Sequence, residues 1–232
     1  MSNDVEKEFG YSITHWFQPI YDLKLNKVIG YEALLRDASP KNLSPVDIFN
    51  EAEKKGHRSI LDTLSIKTAI NSFKDNSYLL FLNIFPSTLL EEDFMLWWDE
   101  NIPSSCPIVL ELLENEPVKK WNELKAITKE LKNRGIKIAI DDMGEGYSFF
   151  QQWIELEPDF VKLDRYFAES LSKNSLKQKI VKSLIELFSD TTGIIIEGIE
   201  KDEDLHTVGF LGIPYAQGYL LGRPSPKEVL MK

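Results

Sequence analysis

Short apolar runs alternate with amphipathic segments along the whole chain. The runs that have the length and the β-branched content of strands lie at about residues 15–20, 28–35, 78–84, 108–113, 136–141, 160–163, 193–197 and 213–218. Strands that alternate with helices predict a mostly parallel sheet. About eight such strands favour a closed barrel over an open sheet, although periodicity does not distinguish the two.

The segments between these strands have the period of helices. One apolar stripe consists of Val118, Trp121, Leu124, Ile127 and Leu131, and a second of Leu176, Ile180, Val181, Leu184 and Ile185. Residues 60–73 form a third predicted helix. Gly135 follows the first stripe where a left-handed cap needs a glycine. No low-complexity or Gly/Ser-rich linker interrupts the pattern, so we expect residues 1–232 to form a single domain.

Composition and charge narrow the class of protein. The chain has 232 residues and a formal charge of −10, which argues against binding of a DNA or RNA duplex, because such binding needs a basic surface. A metal site can still bind phosphates within an acidic protein, because the ion carries the positive charge. The single Cys106 excludes an intramolecular disulfide framework and fits a cytoplasmic protein. No window reaches eighteen apolar residues, so we expect no membrane segment.

Polar side chains interrupt or end most of the predicted strands. In chain order they are Glu32, Asn83, Glu111, Asp141 with Asp142, Lys162, Glu197 and Gln217. The carboxyl ends of parallel strands in a barrel open on one face, so these side chains are expected to converge there. A strand-ending acid alone is more often a helix cap, and Asn83 before Pro86 could cap the next helix. Capping, however, requires neither acids inside apolar strands nor a pair of adjacent aspartates.

The expected cluster has the chemistry of a metal site. Oxygen ligands favour Mg²⁺, Mn²⁺ or Ca²⁺ over softer metals, and this many carboxylates exceed what one Mg²⁺ usually takes. Two such ions about 3.5–4 Å apart are the usual apparatus for in-line attack of water on a phosphoester. Lys162 is suited to hold the attacking hydroxide or to neutralise the charge that develops on the phosphoryl group.

Ordered sequence motifs coincide with these polar positions. They include Phe17-Gln18-Pro19-Ile20, Glu32-Ala33-Leu34-Leu35-Arg36, Asn83-Ile84-Phe85-Pro86, Glu111-Leu112-Leu113-Glu114, Asp141-Asp142-Met143-Gly144-Glu145-Gly146, Lys162-Leu163-Asp164-Arg165, Glu197-Gly198-Ile199-Glu200 and Gln217-Gly218-Tyr219 followed by Gly222-Arg223-Pro224. At these motifs, from about residue 14 to about residue 226, the chain resembles the EAL family of cyclic di-GMP phosphodiesterases. The match is specific because the order and spacing of all the motifs agree.

The resemblance implies a fold and a reaction. The fold is of the α/β class, a modified TIM (β/α)8 barrel in which one strand is antiparallel to the others. The reaction is hydrolysis of cyclic di-GMP to linear pGpG with Mg²⁺ or Mn²⁺, and we expect two ions. The implied metal ligands are Glu32, Asn83, Glu111, Asp141, Asp142 and Glu197, and the implied catalytic residues are Glu32, Asp142, Lys162, Glu197 and Gln217.

The resemblance also implies residues that bind substrate or support the ligands. The implied substrate contacts are Gln18, Leu34, Arg36, Gly222 and Pro224, and the implied supporting acids are Glu114, Asp164 and Glu200. The guanidinium of Arg36 suits a phosphate oxygen because its planar fork can donate twice. Lys162 matches the lysine that orients the nucleophilic water, and Gln217 matches a residue beside that water.

One loop departs from the family pattern. Met143 and Glu145 stand where the family usually has Phe and Thr, and Ser148 is followed by two phenylalanines. In the family this loop couples dimerisation to metal binding, so we expect a homodimer with altered rate or regulation. The alternative is a catalytically weak or inactive EAL module that binds cyclic di-GMP or a protein partner. No sensory segment fits in the remaining residues, so regulatory input is expected from a flanking domain or a separate chain, whose nature the sequence leaves open.

The histidines and two tryptophans have simpler interpretations. His15, His57 and His206 do not cluster in the sequence, so we predict structural or surface roles for them. Trp97 and Trp98 are predicted to pack a helix rather than to stack on a base.

Overall fold

Eight strands close into one barrel in the computed structural model, which describes residues 10, 12–75, 77–103, 105–113, 116–143, 149–188 and 191–230, with the backbone alone at positions 142, 143 and 149. The strands are β1 (Ile13–Asp22), β2 (Lys27–Asp37), β3 (Leu79–Ile84), β4 (Ile108–Leu112), β5 (Lys137–Met143), β6 (Phe160–Leu163), β7 (Gly193–Ile196) and β8 (Tyr215–Ala216). They neighbour one another in chain order, and β1 pairs with β8 to complete the ring. The predicted closed barrel is therefore confirmed.

The first strand runs against the others. β1 pairs antiparallel with both β2 and β8, whereas every other neighbouring pair is parallel. Gln18 on β1 lies opposite Glu32 on β2, and Tyr21 lies opposite Ala216 on β8. The beginning of β1 therefore lies at the same end of the barrel as the carboxyl ends of β2 to β8, which is the modified (β/α)8 barrel that the resemblance implies.

Helices connect the parallel strands and cover the barrel. They are α1 (Pro45–Lys54), α2 (Arg58–Phe73), α3 (Pro86–Leu89), α4 (Phe94–Asn101), α5 (Trp121–Asn133), α6 (Phe149–Leu156), α7 (Arg165–Ala168), α8 (Ser175–Phe188), α9 (Asp202–Leu211) and α10 (Lys227–Leu230). Within the described part of the chain, no helix combines the length and the apolar character needed to span a bilayer.

The helix predictions agree with the structure apart from their first residues. The third predicted helix begins at Arg58 rather than at residue 60, and the first apolar stripe enters its helix at Trp121 rather than at Val118. Val118 instead packs against the core from the preceding loop. Gly135 follows α5 with φ of +84°, so the predicted left-handed cap is confirmed. Trp98 is 4% exposed within the core, as its predicted packing role requires.

The inside of the barrel is closed at the amino-terminal end by an apolar layer. Its buried members are Ile20, Phe81, Val109, Ala139, Phe160 and Ile195, each from a different strand. Side chains alternate between the two faces of a strand, so the next inward-facing position lies two residues further along. On each parallel strand that position is nearer the carboxyl end, and there the inside of the barrel becomes polar.

Gly218 marks a close approach between two segments at this end of the barrel. A Cβ atom at this position would lie 2.2 Å from the backbone nitrogen and oxygen of Ile199. We predict that Gly218→Ala lowers the free energy of unfolding by about 1–3 kcal/mol, because the backbone of Ile199 has to move. The measurement is urea denaturation.

Gly209 offers a matched control for this prediction. It lies within α9, and a Cβ atom there would meet nothing within 4 Å. Gly209→Ala should be neutral or stabilise the fold by up to about 1 kcal/mol, because alanine is the better helix former. Equal effects of the two substitutions would contradict the steric explanation at Gly218.

Candidate active site

A polar layer lies directly above the apolar floor of the barrel. Its members stand two positions from the floor residues of their strands and are Gln18, Asn83, Glu111, Asp141, Lys162 and Glu197. Glu32 joins the layer from β2, and Gln217 joins it directly after β8. The strand period of two therefore explains why side chains that are far apart in sequence meet at one mouth.

Lys162 lies at the centre of this layer. Its Nζ is 2.6 Å from Glu197 Oε1, 3.0 Å from Glu111 Oε1, 3.0 Å from Asp141 Oδ1 and 3.3 Å from Glu32 Oε2. The lysine is 1% exposed, so water does not screen these contacts. Four carboxylates thus share one ammonium group, and the formal charge of the cluster stays negative.

Two of these carboxyl groups hold their protons unusually tightly. Burial raises the pKa of Glu111 well above its ordinary value despite the nearby Lys162, and Glu32 and Asp141 raise it further by repulsion. Burial likewise raises the pKa of Glu197 to about 8, against the attraction of Lys162. For Lys162, burial lowers the pKa, but the surrounding carboxylates outweigh it and raise the pKa well above its ordinary value. The cluster therefore has more acid than its lysine neutralises, which favours binding of a further cation.

Glu32 is the carboxylate with the most fixed orientation. Gln217 donates to its Oε2 at 2.6 Å, and Asn83 donates to its Oε1 at 3.3 Å. Burial alone would raise the pKa of Glu32, but Lys162 and the two amide donors lower it below its ordinary value. Glu32 is thus held as a carboxylate in one position.

Asn83 does not cap the helix that follows it. The N-cap of α3 is Phe85, which has no side-chain cap hydrogen bond, and Pro86 occupies the first turn. The amide of Asn83 instead donates to Glu32. The capping alternative for Asn83 is therefore wrong, and the structure brings its side chain into the polar layer.

Gln18 and Gln217 link the layer to the segment after β8. Gln217 donates to Oε1 of Gln18 at 3.1 Å, and Gln18 donates to the carbonyl oxygen of Gly222 at 3.1 Å. Gly222 also packs against Pro19, where a Cβ atom would lie 2.4 Å from Cγ. Gly222 therefore contacts the layer through Gln18.

A cavity of about 340 Å³ opens above the layer. It is lined by Gln18, Glu32, Leu34, Asp141, Lys162, Asp164, Arg165, Glu197, Gly198, Glu200, Gln217, Gly218 and Tyr219. A second cavity of about 690 Å³ shares Leu34 and is also lined by Arg36 and Asn83. Of the predicted substrate contacts, Gln18, Leu34 and Arg36 line these two cavities, whereas Gly222 and Pro224 line neither.

Asp164 has a structural role beside its place in the cavity wall. Its Oδ1 accepts the backbone N–H of Tyr166 at 2.8 Å and so caps the start of α7. The next residue, Arg165, also lines the cavity, although no role was predicted for it from the sequence. A Cβ atom at Gly198 would lie 2.4 Å from the Cβ atom of Arg165. In the sequence, the only indication of this position was that Arg165 ends the motif Lys162-Leu163-Asp164-Arg165.

Several predicted positions lie outside the described residues. These are Glu114, the loop of residues 144–148 with Glu145, and the side chains of Asp142 and Met143. Their predicted roles as ligand, supporting acid or altered loop stay predictions.

The side chains of the layer fit a divalent metal by their chemistry. All the converging acceptors are carboxylate or amide oxygens, which are the donors that Mg²⁺, Mn²⁺ and Ca²⁺ prefer. Oε2 of Glu111 is buried and has no hydrogen-bond partner among the described residues. As placed, no three acidic, histidine or cysteine side chains of the described ranges form a metal-holding group. The ammonium of Lys162 lies between the carboxylates instead.

The sequence matches the family model of the EAL domain over residues 7–224. The protein named "Probable cyclic di-GMP phosphodiesterase PdeI", from Escherichia coli K12, is 30% identical over 226 residues, which cover 90% of this chain and 28% of that protein. "Cyclic di-GMP phosphodiesterase PdeA" from Borreliella burgdorferi is also 30% identical over 226 residues, which cover 92% of this chain and 34% of that protein. The chain thus spans about a third of the length of these curated relatives.

A solved structure has the same barrel. Klebsiella pneumoniae BlrP1 superposes with a TM-score of 0.81 at 27% sequence identity, over 92% of this chain and 56% of that chain. It was solved as a calcium/cy-diGMP complex and as a manganese/cy-diGMP complex.

Proposed function

The chain belongs to the EAL domain family, and on that premise we propose that it is a metal-dependent phosphodiesterase that hydrolyses cyclic di-GMP to linear pGpG. The observation that carries the proposal is the buried layer in which Lys162 contacts four carboxylates at the mouth of the barrel. Relatives named cyclic di-GMP phosphodiesterases and a neighbour solved with cy-diGMP and manganese support the same reaction.

The polar layer supplies the ligands in this proposal. Two Mg²⁺ or Mn²⁺ ions would be held by Glu32, Asn83, Glu111, Asp141, Asp142 and Glu197. When bound, such ions lower the pKa of water and offset the charge on the phosphoryl oxygens. The amides of Asn83 and Gln217 hold the Glu32 carboxylate in place, so that this ligand needs little reorganisation when it binds a cation.

Lys162 and the cavity walls supply the remaining functions. The ammonium of Lys162 adds a fixed positive charge in a site from which water is largely excluded, where it would orient the attacking water. Gln217 and Lys162 both contact Oε2 of Glu32, and Gln217 would contact the same water. Leu34 lines both cavities, which would receive the dinucleotide in this proposal, and Arg36 would bind a phosphate there. Gln18, Gly222 and Pro224 would also contact the substrate, and Gln18 bonds to the carbonyl oxygen of Gly222. The supporting acids in this proposal are Glu114, Asp164 and Glu200.

Turnover by the purified protein tests the proposal. Incubation with cyclic di-GMP and Mg²⁺ or Mn²⁺ should give pGpG, and addition of EDTA should stop its formation. The product is separated from substrate by ion-exchange chromatography. Absence of product with either metal, under conditions in which the nucleotide still binds, would overturn the enzymatic proposal.

The second candidate function is a weak or inactive EAL module that binds cyclic di-GMP or a protein partner. The observation in its favour is the loop in which Met143 and Glu145 replace the family's usual Phe and Thr. The turnover experiment distinguishes the two candidates, because a binding module keeps affinity for the nucleotide and forms no pGpG.

We also propose that the whole chain is one EAL domain and that it forms a homodimer. Phe150 and Ile154 on α6 are 56% and 62% exposed and lie one helical turn apart, which suits an apolar interface. A cytoplasmic location stays a prediction that rests on the single Cys106.

A further inference from the structure

Helix α2 carries a short polar stripe on one face. Its members are Arg58, Asp62 and Ser65, which the helical period places on one face. Ser65 bonds to His15 at 2.9 Å, Asp62 accepts from the segment after β3, and Arg58 contacts the segments after β3 and β4. The stripe therefore contacts β1 and the segments that follow β3 and β4, which are strands that carry the polar layer, although the stripe lies outside that layer.

Asp62 anchors the start of α3. Its Oδ2 accepts the backbone N–H of Phe85 at 2.9 Å and the hydroxyl of Thr88 at 2.7 Å. Phe85 is the N-cap of α3, the point where the strand becomes the helix. Pro86 after it has no backbone N–H to donate. Asp62 thus fixes the chain two residues after Asn83.

Arg58 ties the same turn to the segment after β4. Its Nη2 donates to Ser87 Oγ at 2.9 Å and to Glu116 Oε1 at 2.6 Å. Oε2 of Glu116 accepts the backbone N–H of Ser87 at 2.9 Å. The segments that follow Asn83 and Glu111 are therefore bound to one helix and to each other.

Asp62 is a buried acid. It is 1% exposed, and burial raises its pKa to about 7 against the hydrogen bonds that it accepts. An acid whose pKa is raised on folding destabilises the folded state as the pH rises above about 4, because the unfolded chain releases the proton more readily.

We propose that Asp62 is a positioning residue, which fixes the end of β3 and thereby directs the Asn83 amide onto Glu32. The inference rests on the proposed function only in that Asn83 and Glu32 would be metal ligands. Partners that orient a ligand without touching the metal typically change metal affinity by 10–100-fold when they are removed. Asp62 acts in this way through the backbone of Phe85.

The test compares Asp62→Leu, which removes the acceptor at similar size, with Asp62→Asn, which keeps it. Calorimetric titration with Mn²⁺ alone should show affinity reduced on the order of 10–100-fold in Asp62→Leu and close to the wild type in Asp62→Asn. Asp204→Leu is the matched control, because Asp204 is 4% exposed on α9 and accepts the N–H of Ser172 at 2.8 Å. It should lower stability and leave Mn²⁺ affinity unchanged. Unchanged affinity in Asp62→Leu would overturn the inference.

A second readout separates this inference from the proposed function. The side-chain amide resonances of Asn83, recorded without metal, should shift in Asp62→Leu and stay in place in Asp204→Leu. If Asp62→Leu fails to fold, Thr88→Val removes one of the two donors to Asp62 and should shift the same resonances by less. Failure of the wild type to bind Mn²⁺ would overturn the proposed function, and the Asn83 resonances would still decide the role of Asp62. Resonances that stay in place in every variant would refute that role.

Discussion

Glu32→Ala is expected to abolish formation of pGpG, with a loss on the order of 10²-fold or more. Glu32 is the carboxylate that Asn83 and Gln217 orient from both sides, and it contacts Lys162 at 3.3 Å. Its removal takes away a proposed metal ligand and leaves two buried amide donors without their acceptor. Turnover is measured with saturating Mn²⁺, so that reduced metal affinity alone does not account for the loss.

Two further variants make this result interpretable. Glu32→Gln keeps the shape of the side chain but removes its charge, and it should be almost as inactive, because a neutral amide is a poor ligand for these metals. Glu155→Gln is the matched control, since Glu155 forms an exposed pair with Lys125 at 3.2 Å. It should keep wild-type turnover. Hydrolysis that survives Glu32→Ala would show that the ligand assignment is wrong.

Lys162→Met is expected to destabilise the metal-free protein by about 3–5 kcal/mol. The substitution keeps the apolar length of the side chain but removes the ammonium that four buried carboxyl groups share. Mn²⁺ at about 100 times its dissociation constant should restore about 2.7 kcal/mol, because a ligand of the native state stabilises it. Urea denaturation in EDTA and in Mn²⁺ measures both effects.

Lys173→Met provides the comparison for the lysine substitution. Lys173 pairs with Glu203 at 3.1 Å, but its side chain is 74% exposed, so the loss should not exceed about 1 kcal/mol. Equal stability of Lys162→Met and the wild type in EDTA would mean that the acids are protonated in the folded state and do not depend on the lysine. If Mn²⁺ stabilises Lys173→Met but not Lys162→Met against urea, Lys162 itself is needed for metal binding.

The sequence predicted the alternating strands and helices and the polar strand ends because both depend on local periodicity, and the number of strands favoured the barrel. A polar residue two positions after an inward apolar residue, as in Phe81 with Asn83 or Phe160 with Lys162, is visible without the structure. The reversal of β1 came from the family resemblance, because periodicity carries no information on strand direction. The last predicted strand, at residues 213–218, was too long, because β8 ends at Ala216. The backbone N–H of Gln217 still bonds to Ile196 at the end of β7, but its carbonyl oxygen accepts the N–H of Ile199, which lies beyond β7.

The contacts of α2 could not be predicted in this way. Asp62 accepts from a residue 23 positions away, and Arg58 donates to one 58 positions away. Such pairs follow no helical or strand period, and the only signal in the sequence of α2 was that Asp62 is its single acidic residue. Lys162 was predicted to join the ring of acids, but its contact with four carboxylates at once was not, because a strand-ending lysine shows its charge in sequence but not its partners.

The pairing of the first strand with the last has a consequence for folding. Tyr21 lies opposite Ala216, and Phe17 bridges to Ser225, so closure of the barrel joins segments separated by nearly the full length of the chain. Contacts of such sequence separation form late, since the entropy of closing the intervening loop must be lost first. During synthesis the edges of β1 and β8 therefore stay open until the end of the domain has left the ribosome, and those edges are where we expect misassembly to begin.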